Sequence, residues 1–199
     1  MKFNKAAMFG LDARIALAIF GALSVISRAA LYSAIQQSKV TAEIATINEI
    51  EKAFTAYYLD AGNIPVTSAN NTLKTSALVE NTESISTWNG PYIGMAKDST
   101  SFLTEGGIKS AGNYAKDTTW GHYSNDAIPR EHCVTMNAGE TCYLWIARQW
   151  VNKSISEGVD VQIDGSLTID SGNVRLWCDK TGFEGKCTIY YKMSIPANI

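Results

Sequence analysis

From Leu11 to Gly62 the chain reads LDARIALAIFGALSVISRAALYSAIQQSKVTAEIATINEIEKAFTAYYLDAG, and this stretch decides the fold. Leu11 to Ile35 is a nearly unbroken apolar segment preceded by a short polar leader with Lys2 and Lys5. No Pro and no turn signal separates it from Gln36–Leu59. There Val40, Ile44, Ile47, Ile50 (or Glu51), Phe54 and Tyr57 recur at spacings of three and four. That spacing predicts an amphipathic helix with one apolar stripe, from which Glu43, Asn48, Glu49 and Lys52 fall largely away. Gly62 is the expected C-cap, and Pro65 forbids continuation. A secretory signal peptide has an apolar core of about 7–15 residues and then loses helical pattern. Here the apolar segment leads straight into more helix, so it reads as retained.

The first half is long enough for a bilayer, though marginally. Leu11–Ile35 is 25 residues, about 37 Å of helix, against a hydrocarbon core of about 30 Å. Arg14 and Arg28 interrupt it and leave a clean core of 13 residues, Ile15–Ser27, roughly 20 Å long. A charge at the bilayer centre costs at least about 2.5–3.5 kcal/mol, so both arginines are expected to snorkel to opposite interfaces. Lys2, Lys5 and Arg14 favour a cytoplasmic N-terminus.

The segment Met8-Phe9-Gly10-Leu11-Asp12-Ala13-Arg14-Ile15-Ala16-Leu17-Ala18-Ile19-Phe20-Gly21-Ala22-Leu23 resembles the N-terminal helix of the type IV pilin and type II secretion pseudopilin superfamily. In that family a prepilin peptidase removes a basic leader. The mature helix then carries an acidic fifth residue and a glycine nine positions further on. Asp12 and Gly21 are nine apart, a register that makes Ala7 the last leader residue and Met8 the first mature one. A competing register cuts between Gly10 and Leu11, with the preferred Gly before the cut but Ile15 at the fifth place. Asp stands for the usual Glu, Arg14 occupies an apolar position, and Ala29 lies near the place of a common proline.

Asp12 needs a physical role, because a carboxylate in an apolar helix costs several kcal/mol unless paired. Arg14 is two residues away and does not face it. The resemblance implies that Asp12 meets the α-amine of a neighbouring subunit during filament assembly. The plain alternative is a charge in the headgroup region, favourable to the helix dipole.

The residues after Gly62 suffice for one compact domain. Formal net charge is −2. Loss of Met1–Ala7 with Lys2 and Lys5 leaves 15 basic against 19 acidic residues, a net −4, and no basic footprint for nucleic acid. Cys133 and Cys142, then Cys178 and Cys187, are two pairs that each enclose eight residues. Even number and equal spacing behind an export signal point to disulfides and an oxidising compartment. Three connectivities are possible, and the reading takes the local pairs 133–142 and 178–187. Zinc is disfavoured, since neither pair has the two-to-four-residue spacing of structural sites.

Between the helix and the cysteines, Ser68–Thr87 reads as loop with a small Leu73–Leu78–Val79 patch. Trp88-Asn89-Gly90-Pro91-Tyr92-Ile93 follows, with Gly90-Pro91 as a turn signal before a strand. This run resembles the Trp-Gly-Gly-Pro-Tyr-like segment that closes the loop after the long helix in the same superfamily. Asp60-Ala61-Gly62-Asn63-Ile64-Pro65 resembles the family's helix exit, and Thr119-Trp120-Gly121-His122-Tyr123 a later Trp-Gly turn. The resemblance covers roughly Met8 to Tyr123.

Toward the C-terminus, Asn137 and Glu140 fit a capping box. A helical stripe of Leu144, Ala147, Val151 and Ile155 would then end at Gly158. A strand through Cys142–Ile146 is the alternative, because Trp and Tyr favour sheets. Strands are expected at Val159–Ile163, Ser166–Ile169, Val174–Trp177 and Thr188–Met193, with turns at Asp164-Gly165 and Ser171-Gly172-Asn173. The expected fold is α+β: a spine helix packed on an antiparallel sheet. Leader 1–7 (or 1–10), helix 8–61 and an extracytoplasmic head 62–199 are the expected divisions.

Catalytic constellations are missing. His122 and His132 are the only histidines, and no Gly-x-Ser-x-Gly, His-Glu-x-x-His or phosphate loop occurs. His132 beside Cys133 suggests a thiol-base pair, but a disulfide-bonded cysteine is no nucleophile. Asp160, Asp164, Asp170 and Asp179 could hold calcium, which stabilises some pseudopilins near the C-terminus. Their spacing matches no EF-hand, and a solvated acidic rim is the preferred reading, with no cofactor. The chain therefore reads as a non-enzymatic pilin or pseudopilin. The resemblance implies a homo-oligomeric filament, with the inner membrane, prepilin peptidase and the assembly machinery as partners, and a periplasmic or cell-surface location after assembly. The rival reading is a signal-anchored extracytoplasmic binding or enzyme domain.

Overall fold

The computed structural model describes residues 6–65, 72–120, 122–123, 133, 141–178 and 185–196. The chain divides into two compact units, Met1–Lys39 and Val40–Ile199. Helix α1 runs from Ala6 to Ala61, 56 residues without a break. It stops as expected: Gly62 takes φ 72°, its N–H donates to the Tyr58 carbonyl, and Pro65 follows.

Within the second unit, seven strands form one sheet. They are β1 Ala96–Lys97, β2 Leu103–Glu105, β3 Ile108–Lys116, β4 His122–Tyr123, β5 Cys142–Asn152, β6 Val174–Cys178 and β7 Lys186–Pro196, with helix α2, Lys153–Asp164, between β5 and β6. Their order is β1-β2-β3-β5-β7-β6-β4. Every pairing is antiparallel except β4 with β6, which is parallel. The α+β expectation, a spine helix with an antiparallel sheet and two disulfides, holds.

Side chains alternate between the two faces of a strand, and here both faces are covered. Leu144 and Ile146 of β5 point into the larger cluster with Ile47, Ile50, Phe54 and Tyr57 of α1, while Trp145 and Ala147 point into a second cluster with Trp120 and Tyr190. Burial on both faces makes Leu144–Arg148 a continuous buried run, with no alternation left in the sequence. That is why the expected helix over 144–155 is wrong: β5 occupies Cys142–Asn152. A register shift between Arg148 and Val151, with Trp150 at φ 66°, inserts one extra residue and turns Val151 back toward the larger cluster.

The real helix starts where the expected one was ending. Asn152 is the N-cap, its side chain accepting from the Ser154 N–H, and Gly165 at φ 80° closes the C-terminus. The strands expected at Val159–Ile163 and Ser166–Ile169 are therefore corrected to α2 and a turn segment. Alternating Val159, Val161 and Ile163 imitate a strand, yet the helix uses Ser156, Val159 and Asp160 as its buried side. Gly158 is no terminator: a Cβ there would stand 2.6 Å from Val40 Cγ2, so its smallness lets α2 approach α1. The strands expected at Val174–Trp177 and Thr188–Met193 fall within β6 and β7. Asn137 and Glu140 lie outside the described residues.

Both disulfides are the local ones. Cys133–Cys142 ties the start of β5 to the segment before it, and Cys178–Cys187 crosses between β6 and β7 at directly paired positions.

Candidate functional site

The candidate assembly residues lie in α1. Ala7, Met8, Gly10 and Leu11, the two alternative processing positions, are all helical. Asp12 and Gly21 are exposed, and a Cβ on Gly21 would meet nothing within 4 Å. Nine residues is about two and a half turns, which puts Asp12 and Gly21 on opposite faces of the helix. Ile15, Leu17, Ile19, Phe20, Leu23 and Val25 are exposed as well. The helix is long and apolar enough to cross a membrane by length and composition.

From Val40 onward α1 is part of the head. Val40, Ile47, Ile50, Phe54 and Tyr57 are buried as the stripe requires, and Ile50 rather than Glu51 takes the inward place. Glu43 departs from the expectation. It is buried, and its carboxylate receives Arg148 Nε at 2.5 Å and Nη2 at 3.1 Å. Arg148 Nη1 donates to Ser110 Oγ at 2.7 Å. This two-point pair joins α1 to β5 with every charged atom satisfied. Two signals pointed to it: position 43 lies three after Val40 and four before Ile47, and Arg148 is a lone charge in an apolar run.

The helix exit is clasped by the Trp-Asn-Gly-Pro-Tyr run. Tyr92 donates from its hydroxyl to Asp60 Oδ2 at 2.9 Å and accepts from the Asn89 N–H at 3.0 Å. Trp88 Nε1 donates to the Ala77 carbonyl at 3.0 Å. The Tyr92 ring meets Tyr57 and Trp88 edge-on, at 5.8 and 5.6 Å between centroids. Gly90 must be glycine, since a Cβ would stand 2.7 Å from the Trp88 ring. The Gly90–Pro91 peptide is cis. The run enters no strand directly; β1 begins at Ala96. Burial pushes the Tyr57 phenol up from its ordinary value.

Arg175 organises the sheet's second face. Its guanidinium lies over Trp145 and Trp120 at 5.2 and 5.7 Å and bonds Asp117 at 3.2 Å. Lys192 holds the other Asp117 oxygen at 2.9 Å. Burial lowers the Arg175 pKa, opposed by Asp117 first among the neighbouring acids.

These contacts join elements of the head to one another. His122 sits in β4, and His132 lies outside the described residues. An open groove of ≈ 530 Å³ beside Lys52, Leu59 and Ser194 has Glu51 in it, but that carboxylate already accepts from Ser194 N–H and Oγ. Among the described residues no cluster of His, Cys, Asp or Glu suits a metal. The solvated acidic rim is corrected too. Asp160 is fully buried, Asp164 accepts backbone N–H groups of residues 173 and 174, and Asp179 lies outside the described residues.

The family model of type II secretion system protein G matches residues 30–101, from the apolar half of α1 through the aromatic clasp to the approach to β2. Over those residues the chain is similar to this pseudopilin family. The match covers 72 of 199 residues and includes neither Asp12 nor Gly21. No curated protein and no solved structure matches the chain. The superfamily's characteristic parts, a long N-terminal helix and an α+β head, are both present.

Proposed function

We propose that the chain is a structural subunit of a pilus-like or pseudopilus filament. The observation that carries this reading is the change of character along one continuous helix: exposed and apolar over residues 12–35, then buried on one stripe from Val40. An exposed apolar helix face needs a membrane or neighbouring helices to cover it. In this reading the precursor is held in the inner membrane, prepilin peptidase removes the leader between Ala7 and Met8, and the assembly machinery stacks subunits through their helices into a periplasmic or surface filament. Asp12 receives the neighbour's α-amine, and Gly21, on the opposite face, admits a close helix. The head is carried along as a non-catalytic body.

Two experiments test it. Mass spectrometry of the mature protein is expected to find Met8 at the N-terminus. A start at Leu11 changes only the register, whereas an intact N-terminus or cleavage beyond Ile35 overturns the reading. Asp12→Ala is expected to insert and fold normally yet yield few or no filaments. Filaments at wild-type yield would remove Asp12 from assembly.

A further inference from the structure

Asp160 lies outside the candidate assembly residues of α1. It lies on α2 with its side chain fully buried. Oδ2 accepts from the Thr168 N–H at 2.8 Å, while Oδ1 is buried without a hydrogen-bond partner. An ionised carboxylate would leave that oxygen stripped of water and unsatisfied, the most expensive kind of buried polar atom. One helical turn on, Asp164 presents a second carboxylate from the same side. Its Oδ1 accepts from the Asn173 N–H at 3.0 Å and its Oδ2 from the Val174 N–H at 2.9 Å. Gly172, at φ 88°, leaves room for Asp164, because a Cβ there would collide with its carboxylate.

Two ionised carboxylates repel and cannot hydrogen-bond each other. A single proton makes Asp160 a donor to Asp164 and removes both the repulsion and the orphaned oxygen. The neighbouring charges only partly offset the repulsion. Arg175 of β6 attracts Asp160; its Nη atoms bond Asp117 and the Gly172 carbonyl, while its Nε is buried without a hydrogen-bond partner. Asp170, in the turn segment, acts on Arg175. Tyr191 of β7 faces Asp164 and Glu51, and Arg148 of β5 is taken by Glu43 of α1.

We propose that Asp160 is held as the neutral acid in the folded head, sharing one proton with Asp164, and that this proton latches the 165–173 segment to α2. Burial first, then the Asp164 charge, raises the Asp160 carboxyl above its ordinary value, against the lowering pull of the Thr168 N–H. A raised carboxyl contributes stability that is complete below the ordinary aspartate range, about 3.9. That contribution is lost as pH rises through the folded value. The head is thus tighter in acid than at neutrality, as far as this pair is concerned.

The test uses the full chain in detergent micelles. Thermal unfolding is followed by near-ultraviolet circular dichroism of the buried tryptophans, at several pH values between the aspartate range and neutrality, for wild type and Asp160→Asn. The amide mimics the protonated acid, so the variant is expected to melt roughly 3–6 °C above wild type at neutral pH, the gap closing toward acid. A constant offset at every pH overturns the proposal. Carboxyl ¹³C titration of the wild-type protein decides independently of any variant. An Asp160 resonance titrating above the ordinary aspartate value supports the shared proton, and one at or below it refutes it. Calcium that raises the melting temperature of wild type but not of Asp160→Asn would also refute it, by making a cation rather than a proton the missing partner.

Discussion

Residues 12–35 and residues 40–57 belong to one helix, yet they are opposite in burial. Phe20 is 71% exposed and Phe54 1%, although both are the same residue type in the same secondary structure. Apart from Asp12, Arg14 and Arg28, the first stretch carries apolar residues on all sides, and the second confines its apolar residues to a stripe with polar groups outside it. A stripe can be satisfied by one sheet; an all-round apolar surface cannot, and needs lipid or other helices. Helix propensity alone therefore says nothing about where a helix ends up.

The contrast is broken most severely by Phe54→Ala. Phe54 fills the space above Gly112, where a Cβ would stand 2.6 Å from its ring, so the cavity is expected to cost the head about 3–5 kcal/mol, read by denaturant unfolding of the head. Arg148→Ala is expected to cost a comparable or slightly smaller amount, about 3–5 kcal/mol, because Glu43 is left buried and unpaired. The double variant Glu43→Leu with Arg148→Leu should recover much of that loss, and a double as unstable as Arg148→Ala would show that the pair acts by more than its charges. Cys178→Ser and Cys187→Ser should each cost about 2–3 kcal/mol in the chain-entropy account. The two variants should match each other and the double, since either removes the same bridge. Smallest of all, Phe20→Ala should leave the head's unfolding within about 0.5 kcal/mol of wild type. A large loss of head stability there would mean that the exposed stretch is packed on the head after all.

Much of this was legible in the residues. Helix α1 and its stop at Gly62 followed from periodicity and capping, because a one-faced helix beside water must repeat its apolar positions every three to four residues. The local disulfides and strands β6 and β7 were readable as well. β5 and α2 were not. Leu144-Trp145-Ile146-Ala147 is covered on both faces of the sheet, so the period that distinguishes strand from helix is erased there. In α2 a glycine suggested a stop, whereas contact with Val40 had selected it for its small size.

By itself the sequence determined the long N-terminal helix, its two characters, the oxidised head and the resemblance that the family match bears out over residues 30–101. These are local properties: hydrophobic period, capping residues, cysteine spacing and short aromatic turns all act between near neighbours in the chain. Only the tertiary structure decided that Glu43 meets Arg148 across 105 positions, that Arg175 lies over two tryptophans, and that Asp160 and Asp164 close on one segment. Each of those depends on which strands pair and which faces are covered. A buried charge carries no mark in the sequence of the partner that makes its burial tolerable.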